Sequence, residues 1–348
     1  MLSKRSVLAR RSVLAGAAAV VAAPLLMPAR AMADEPTTDW IQWLAQRRDH
    51  VSLYADDGRG RRLALRPNHQ VPMASAYKAI HAATFAGSGI NPQRQIKIRD
   101  WEAHYLPGLD GGAHLYSLAM LGIPAEGWYA KDPDQLVPLD WVVQAMIIQS
   151  DNAAADYLHD LLGARALQRT AACGGWPHAE VATELGDMLR IWWPGTSDEL
   201  SARFVADASF KQAALAKLAE LPSIDAQLAW TRTTHRGSAA DLASLHRSIA
   251  TQRIPGRHYL ELAYAPLVGQ GELGIGYKGG SLPGVVTIGF SLRRADGTTG
   301  STAVLVENLG WDDFTALSNS AEFVNGVCLG LLRDPATWQR VAREVVHA

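Results

Sequence analysis

A serine hydroxyl becomes a nucleophile when a base lies within hydrogen-bonding reach, and a lysine three residues along a helix supplies one. The chain offers that pairing at Ser75-Ala76-Tyr77-Lys78. The spacing predicts both side chains on one helix face, with burial lowering the amine's pKa so that Lys78 accepts the Ser75 proton. By itself the pattern is equally a solvated helix start. Two later stretches give it company: Ser150-Asp151-Asn152 and Lys278-Gly279-Gly280. Ser150-Asp151-Asn152 interrupts an apolar helical run and presents polar side chains from a rigid base, although Ser-Asp alone is an ordinary helix cap. Lys278 falls beside a predicted strand, where in isolation it would be a surface lysine on a sheet edge.

The elements that must position these stretches are legible as changes of hydrophobic period. Residues 39–48, with Trp40, Trp43 and Leu44, read as an amphipathic helix. Residues 51–54 and 62–65 alternate as strands around the turn Asp56-Asp57-Gly58-Arg59-Gly60, forming a hairpin. A buried helix over 71–85 follows and carries the serine and lysine. Between 90 and 138 loops alternate with aromatic residues, most of them core and some available to line a cleft. Helices are predicted over 140–149, 153–162, 200–221 and 238–249, with a shorter one in 163–175; 178–194 has no clear period. Strands at 273–277, 285–292 and 302–307 join the early pair in an antiparallel sheet, and helices over 316–332 and 336–346 close the chain.

The sequence has 348 residues, room for one large domain or two intimate lobes. Lys4, Arg5, Arg10 and Arg11 precede an apolar run from Val13 to Met27, and Ala31-Met32-Ala33 follows as a small-residue cleavage site. This pattern predicts an export signal over 1–33, and Arg10-Arg11-Ser12-Val13-Leu14 suits the twin-arginine route, giving an extracytoplasmic (periplasmic or secreted) product. Residues 1–33 hold five of the 33 Lys+Arg and none of the 34 Asp+Glu, so the remainder carries 28 against 34, a net charge of −6. That balance argues against nucleic acid as a partner. No later apolar run is long enough to span a bilayer. Cys173 and Cys328 are far apart and are expected as unpaired, buried thiols, and no paired-cysteine or His-Glu-x-x-His pattern suggests a metal. The glycines of 269–274 lead into a strand rather than a helix, which removes the dinucleotide reading.

Three ordered motifs in this context resemble the penicillin-recognising serine hydrolases, the superfamily of β-lactamases and penicillin-binding proteins, and most nearly the class A β-lactamase-like branch. Gly276-Tyr277-Lys278 before Ser281-Leu282-Pro283-Gly284 strengthens the likeness. The resemblance implies a two-lobed α/β (α+β) fold, an antiparallel sheet flanked by helices plus an all-α lobe. The α/β lobe would come from about 34–70 and 235–348, and the α lobe from about 71–234. It implies that Ser75 is acylated, that Lys78 takes or relays its proton, and that Ser150, bridged by Lys278, protonates the leaving nitrogen. Asn152, Gly280 and Ser281 would contact substrate, with the backbone N–H groups of Ser75 and Ser281 forming an oxyanion hole. Asp151 would brace its loop. No cofactor or metal is required, and the expected partner of a monomer is a small β-lactam, peptide or ester.

Two departures qualify the expectation. Gly279 stands where the family usually has threonine or serine, so a hydroxyl suited to a substrate carboxylate is missing; Ser281, Arg232, His235 or Arg236 are the candidate substitutes. The Glu-x-x-Leu-Asn pattern that supplies the deacylating base is also absent. Among Glu180, Glu184 and Asp187, Glu184 is the best placed candidate base. The alternatives are therefore a D-alanyl peptidase, esterase or transferase with slow β-lactam turnover, or a penicillin-binding sensor that does not hydrolyse.

Overall fold

The computed structural model describes residues 38–348; the predicted export segment lies outside the described residues. Asp39 caps α1 (Trp40–Gln46) by accepting the Gln42 N–H at 3.2 Å. The expected hairpin follows as β1 (Val51–Asp56) and β2 (Arg62–Leu65). The helix expected over 71–85 is three elements instead: β3 (Val71–Pro72), a 3-10 turn over Ala74–Tyr77, and α2 (Lys78–Gly87). Ala74 is the reason. Its φ of 47° is left-handed, so no right-handed helix can run through it.

The middle of the chain supplies α3 (Leu139–Gln144), α4 (Asn152–Leu162), α5 (Glu184–Leu189), α6 (Ser197–Ala206), α7 (Ala208–Lys217) and α8 (Ile224–Thr231). The long helix expected over 200–221 is broken at Asp207, which turns out of helical geometry and accepts the Ser209 and Phe210 N–H groups as the cap of α7. β4 (Arg236–Gly237) pairs antiparallel with β3 and leads into α9 (Ala239–Ala250).

The sheet is then completed by β5 (Glu272–Leu282), β6 (Val285–Arg294) and β7 (Thr299–Val306), in the order β2-β1-β7-β6-β5, every pair antiparallel. β5 runs past the predicted end at 277 and takes in Lys278-Gly279-Gly280. Glycine disfavours a strand interior, but pairing with β6 on one side and close approach to the nucleophile turn on the other override that preference. The closing helical run breaks into pieces, Trp311–Ser318, Glu322–Leu329 and Gly330–Arg333, before Pro335–Val341.

Alternation along the strands sends side chains to two cores. Val286, Ile288, Phe290, Val304 and Val306 pack with α1 and the C-terminal helices. Ala303 and Leu305 point the other way, toward Leu242 and Leu245 of α9 and the helical lobe built on α2, α3 and α4. Gly289 admits α9 closely, since a Cβ there would lie 2.5 Å from the His246 ring. The result is a two-lobed α+β molecule. A third, smaller cluster joins Leu200, Phe204 and Phe210 of α6 and α7 to Leu185 and Leu189 of α5 and to Leu106 and Leu109. Neither thiol is bridged; Cys328 is buried as expected, whereas Cys173, at the end of an amphipathic surface helix, is exposed.

Candidate active site

The 3-10 turn after Ala74 keeps the i,i+3 proximity that a helix would give. Ser75 Oγ lies 2.9 Å from Lys78 Nζ. Lys78 is fully buried, and its amine also reaches the Ser150 carbonyl at 2.8 Å, the Asn152 amide oxygen, and Glu184 Oε1 at 3.1 Å. Glu184 Oε1 in turn accepts the Ser75 hydroxyl at 3.3 Å. One hydroxyl thus faces two groups able to take its proton.

Ser150 follows a π-helical turn, Ala145–Gln149, and sits at φ 63°, a left-handed conformation rare for serine. Both its oxygens are held by lysines, the carbonyl by Lys78 and Oγ by Lys278 at 2.9 Å. Lys278 is buried on β5 and also donates to the Gly279 carbonyl at 2.8 Å. Burial, reinforced by the charge of Lys78, pushes the Lys278 amine well below the ordinary lysine range. An amine so depressed can exchange a proton with the Ser150 hydroxyl.

Asp151 is fully buried and accepts the Ala154 N–H as the cap of α4. Its other oxygen meets His114 Nδ1 at 2.9 Å, and His114 Nε2 meets Glu102 at 3.2 Å. Burial alone would lower His114, but the two carboxylates outweigh it and raise the imidazole to about 10. A charged histidine therefore anchors the turn from behind.

Gly280 lies against the nucleophile turn: a Cβ there would be 2.4 Å from the Ser75 backbone nitrogen and 2.7 Å from that of Ala76. Only glycine fits. Thr287 of β6 ties the same layers together, donating to the Met73 carbonyl at 2.8 Å with the Gly280 carbonyl 3.2 Å away. Ser281 and Asn152 line the cleft beside Ser75.

Of the three acidic candidates, α5 brings Glu184 to Ser75; Glu180 is exposed, and Asp187 is engaged elsewhere. Asp156, one turn beyond Asn152 on α4, accepts the Glu184 and Leu185 N–H groups at 2.7 and 2.6 Å. Burial raises its carboxyl to about 8. Asp187 accepts from His235 Nδ1 at 2.9 Å and from the Ser197 hydroxyl, and His235 Nε2 reaches the Ala74 carbonyl at 3.1 Å. This imidazole is committed to structure although it lines the cleft. Arg236 turns to Gln70 and Glu307, and neither it nor Arg232 lines the cleft, so neither replaces the hydroxyl lost at Gly279.

The arrangement can deprotonate a buried hydroxyl, relay a proton through Ser150 and Lys278, and hold the Glu184 carboxylate beside Ser75 Oγ. His114, Asp156 and Thr287 escaped the sequence reading, and His235, expected there only as a stand-in for the missing hydroxyl, instead pairs with Asp187. Asp156 had a signal in its i+4 spacing from Asn152; the others meet their partners only through the fold.

Residues 37–268, more than half of the chain, match the β-lactamase enzyme family. No curated protein matches. Among solved structures, a β-lactamase from Sphaerobacter thermophilus DSM 20745 is 18% identical, covering 82% of this chain and 97% of its own, with a TM-score of 0.51. A β-lactamase from Chitinophaga pinensis DSM 2588 is 13% identical over 82% of this chain and 95% of its own, also with a TM-score of 0.51. Those likenesses are of fold. With the family match over the segment that carries Ser75, Ser150 and Glu184, the chain belongs to the β-lactamase enzyme family, among the penicillin-recognising serine hydrolases.

Proposed function

We propose that the protein is a class A-like serine hydrolase that opens a β-lactam or a related amide or ester through an acyl-enzyme on Ser75. One observation carries the reading: Ser75 Oγ lies within hydrogen-bonding distance of both Lys78 and Glu184. In this mechanism Ser75 Oγ bonds to the substrate carbonyl carbon and passes its proton to Lys78 or Glu184. The carbonyl oxygen becomes an oxyanion facing the backbone N–H groups of Ser75 and Ser281. The carbon–nitrogen or carbon–oxygen bond then breaks, and the leaving atom takes a proton from Ser150; the proton taken from Ser75 passes through Lys278 to restore that hydroxyl, which frees Lys78 and Glu184 again. Water next bonds to the acyl carbon while Glu184 takes its proton; the bond to Ser75 breaks, the serine regains a proton, and the acid departs.

Intact-mass spectrometry during exposure to a reporter penicillin and a chromogenic cephalosporin tests this. The expected result is a Ser75-dependent adduct that clears as product accumulates, and Glu184→Gln should trap it, slowing clearance about 100-fold or more. No adduct on the wild type, or one that survives Ser75→Ala, overturns the proposal. An adduct that forms on Ser75 and never clears favours the penicillin-binding alternative.

A further inference from the structure

Ser150 keeps its left-handed conformation with help from beyond the two lysines that hold its oxygens. A serine at φ 63° relaxes unless its surroundings fix the turn, and the next residue, Asp151, is fixed at both carboxylate oxygens. Oδ1 accepts the Ala154 N–H at 2.9 Å, an ordinary helix cap. Oδ2 is met by His114 Nδ1 at 2.9 Å, a contact from a different part of the chain.

His114 is itself built in from every side. It is fully buried on the helix Ala113–Met120, and its backbone N–H donates to Asp110 Oδ2 at 2.8 Å. Its Nε2 meets Glu102 Oε1 at 3.2 Å, and the same oxygen accepts the Ala130 N–H at 2.6 Å. The rings of Trp101 and Tyr105 pack on the imidazole, their centroids 5.0 and 4.2 Å from its own. Glu102, His114 and Asp151 thus form a continuous polar chain in which no member is more than 6% exposed. Away from water each link is stronger and its loss costlier. The chain ends one residue from the hydroxyl that serves the leaving group, and none of its members lines the cleft at Ser75. Lys78 and Glu184 touch Ser75 directly, whereas His114 reaches only the turn that bears Ser150.

We infer that His114 is a positioning residue for the leaving-group half of the reaction: by donating from Nδ1 to Asp151 it holds the Ser150 hydroxyl where a departing nitrogen can take its proton. The inference rests on the acyl-enzyme reading above and adds a residue that this reaction needs and the substrate never touches. Its effect is selective. A group that leaves as a stable anion needs no proton, so a displaced Ser150 costs it little, whereas an amine cannot leave without one.

The test compares kcat/KM for benzylpenicillin, whose nitrogen must be protonated, with that for 4-nitrophenyl acetate, whose phenolate leaves unprotonated. The wild type, Ser150→Ala, His114→Ala, His114→Gln and His114→Asn are measured. Both rates come from one preparation of each, so any loss of folded protein cancels in their ratio. Asparagine carries its amide nitrogen close to the place of Nδ1 and keeps the bond to Asp151; glutamine carries it close to that of Nε2 and keeps only the bond to Glu102. Ser150→Ala should lower the penicillin-to-ester ratio about 100-fold, and His114→Ala and His114→Gln about 10-fold or more, while His114→Asn stays within about 3-fold of the wild type. If Ser150→Ala lowers the ratio and His114→Ala and His114→Gln leave it unchanged, the inference is overturned and the acyl-enzyme reading stands. A loss in His114→Asn as large as in His114→Gln also overturns it, because the bond to Asp151 would then not be the one that matters. An unchanged ratio in Ser150→Ala removes Ser150 as the proton donor, and this inference with it.

Discussion

Single residues set the tolerances of the site. Gly280 shows the narrowest one, because its missing side chain is what lets β5 touch the Ser75 and Ala76 backbone. Gly280→Ala must push the strand and the nucleophile turn apart. The expected loss in kcat/KM is about 100-fold or more, the scale of losing one oxyanion donor, with the folded protein retained by circular dichroism. Much at this scale was legible in the sequence: the motifs that hold Ser75, Lys78, Ser150 and Lys278 stand out by their order and their context, and these residues meet at hydrogen-bonding distances. Glu184 was legible only as the best of three carboxylates. The pairings of His114 with Asp151 and of His235 with Asp187 were not legible, since these partners lie 37 and 48 residues away and no local pattern links them.

Among the elements, α5 is the one whose placement depends most on titratable groups. Asp156 holds its first turn, and the pair of Asp187 and His235 ties it to the strand before α9. Burial would raise Asp187, but hydrogen bonds from His235, Ser197 and Arg190 outweigh it and keep the carboxyl below its usual range; its contribution is lost as pH falls through that lowered value. Burial would lower His235, yet Asp187 raises it; its contribution is full below the ordinary histidine value of 6.5 and fades as pH rises through the raised one. Asp156, raised to about 8, serves best while protonated and is a cost once it ionises beside Glu184. Since Asp156 loses its contribution steadily from the ordinary carboxyl value up to about 8, anchoring should be strongest near about pH 4 and weaken continuously toward alkaline pH, more steeply above about 6.5 where His235 begins to lose its own. Amide exchange over 184–189, corrected for intrinsic rates, should show this loss of protection, and Asp156→Asn should flatten its decline between about pH 4 and 8. Unchanged protection to pH 9 would refute it. Asp187→Ala strands a buried histidine and should destabilise by about 3–5 kcal/mol in urea unfolding. The sequence left this region without a period, because α5 is short and is held by distant polar partners rather than by its own amphipathic repeat.

At the scale of the whole molecule, one sheet serves both lobes. β6 places Phe290 in the core under the terminal helices while Thr287, on the same strand, fastens the nucleophile turn. The lobes should consequently unfold together. Phe290→Ala should cost about 3–5 kcal/mol and shift tryptophan fluorescence and hydrolytic activity to the same lower urea midpoint. Separate midpoints would mean that the helical lobe stands alone. The antiparallel sheet and most helices were foreseen from periodicity. The breaks at Ala74 and Asp207 were not, because a single left-handed residue or a competing cap interrupts a helix without disturbing its apolar spacing.

The contact between Asp187 and His235 has one more consequence. It closes the neck of the segment 188–234, whose helices α6 and α7 pack on each other, on α5 and on Leu106 and Leu109. A segment joined at its own base resembles a cassette. It can lengthen, shrink or be exchanged for a foreign one between two fixed ends, leaving Ser75, Lys78, Ser150 and Lys278 undisturbed on the scaffold. Substrate preference would then evolve, or be engineered, by trading one contiguous stretch of gene rather than by rebuilding the hydrolytic machinery.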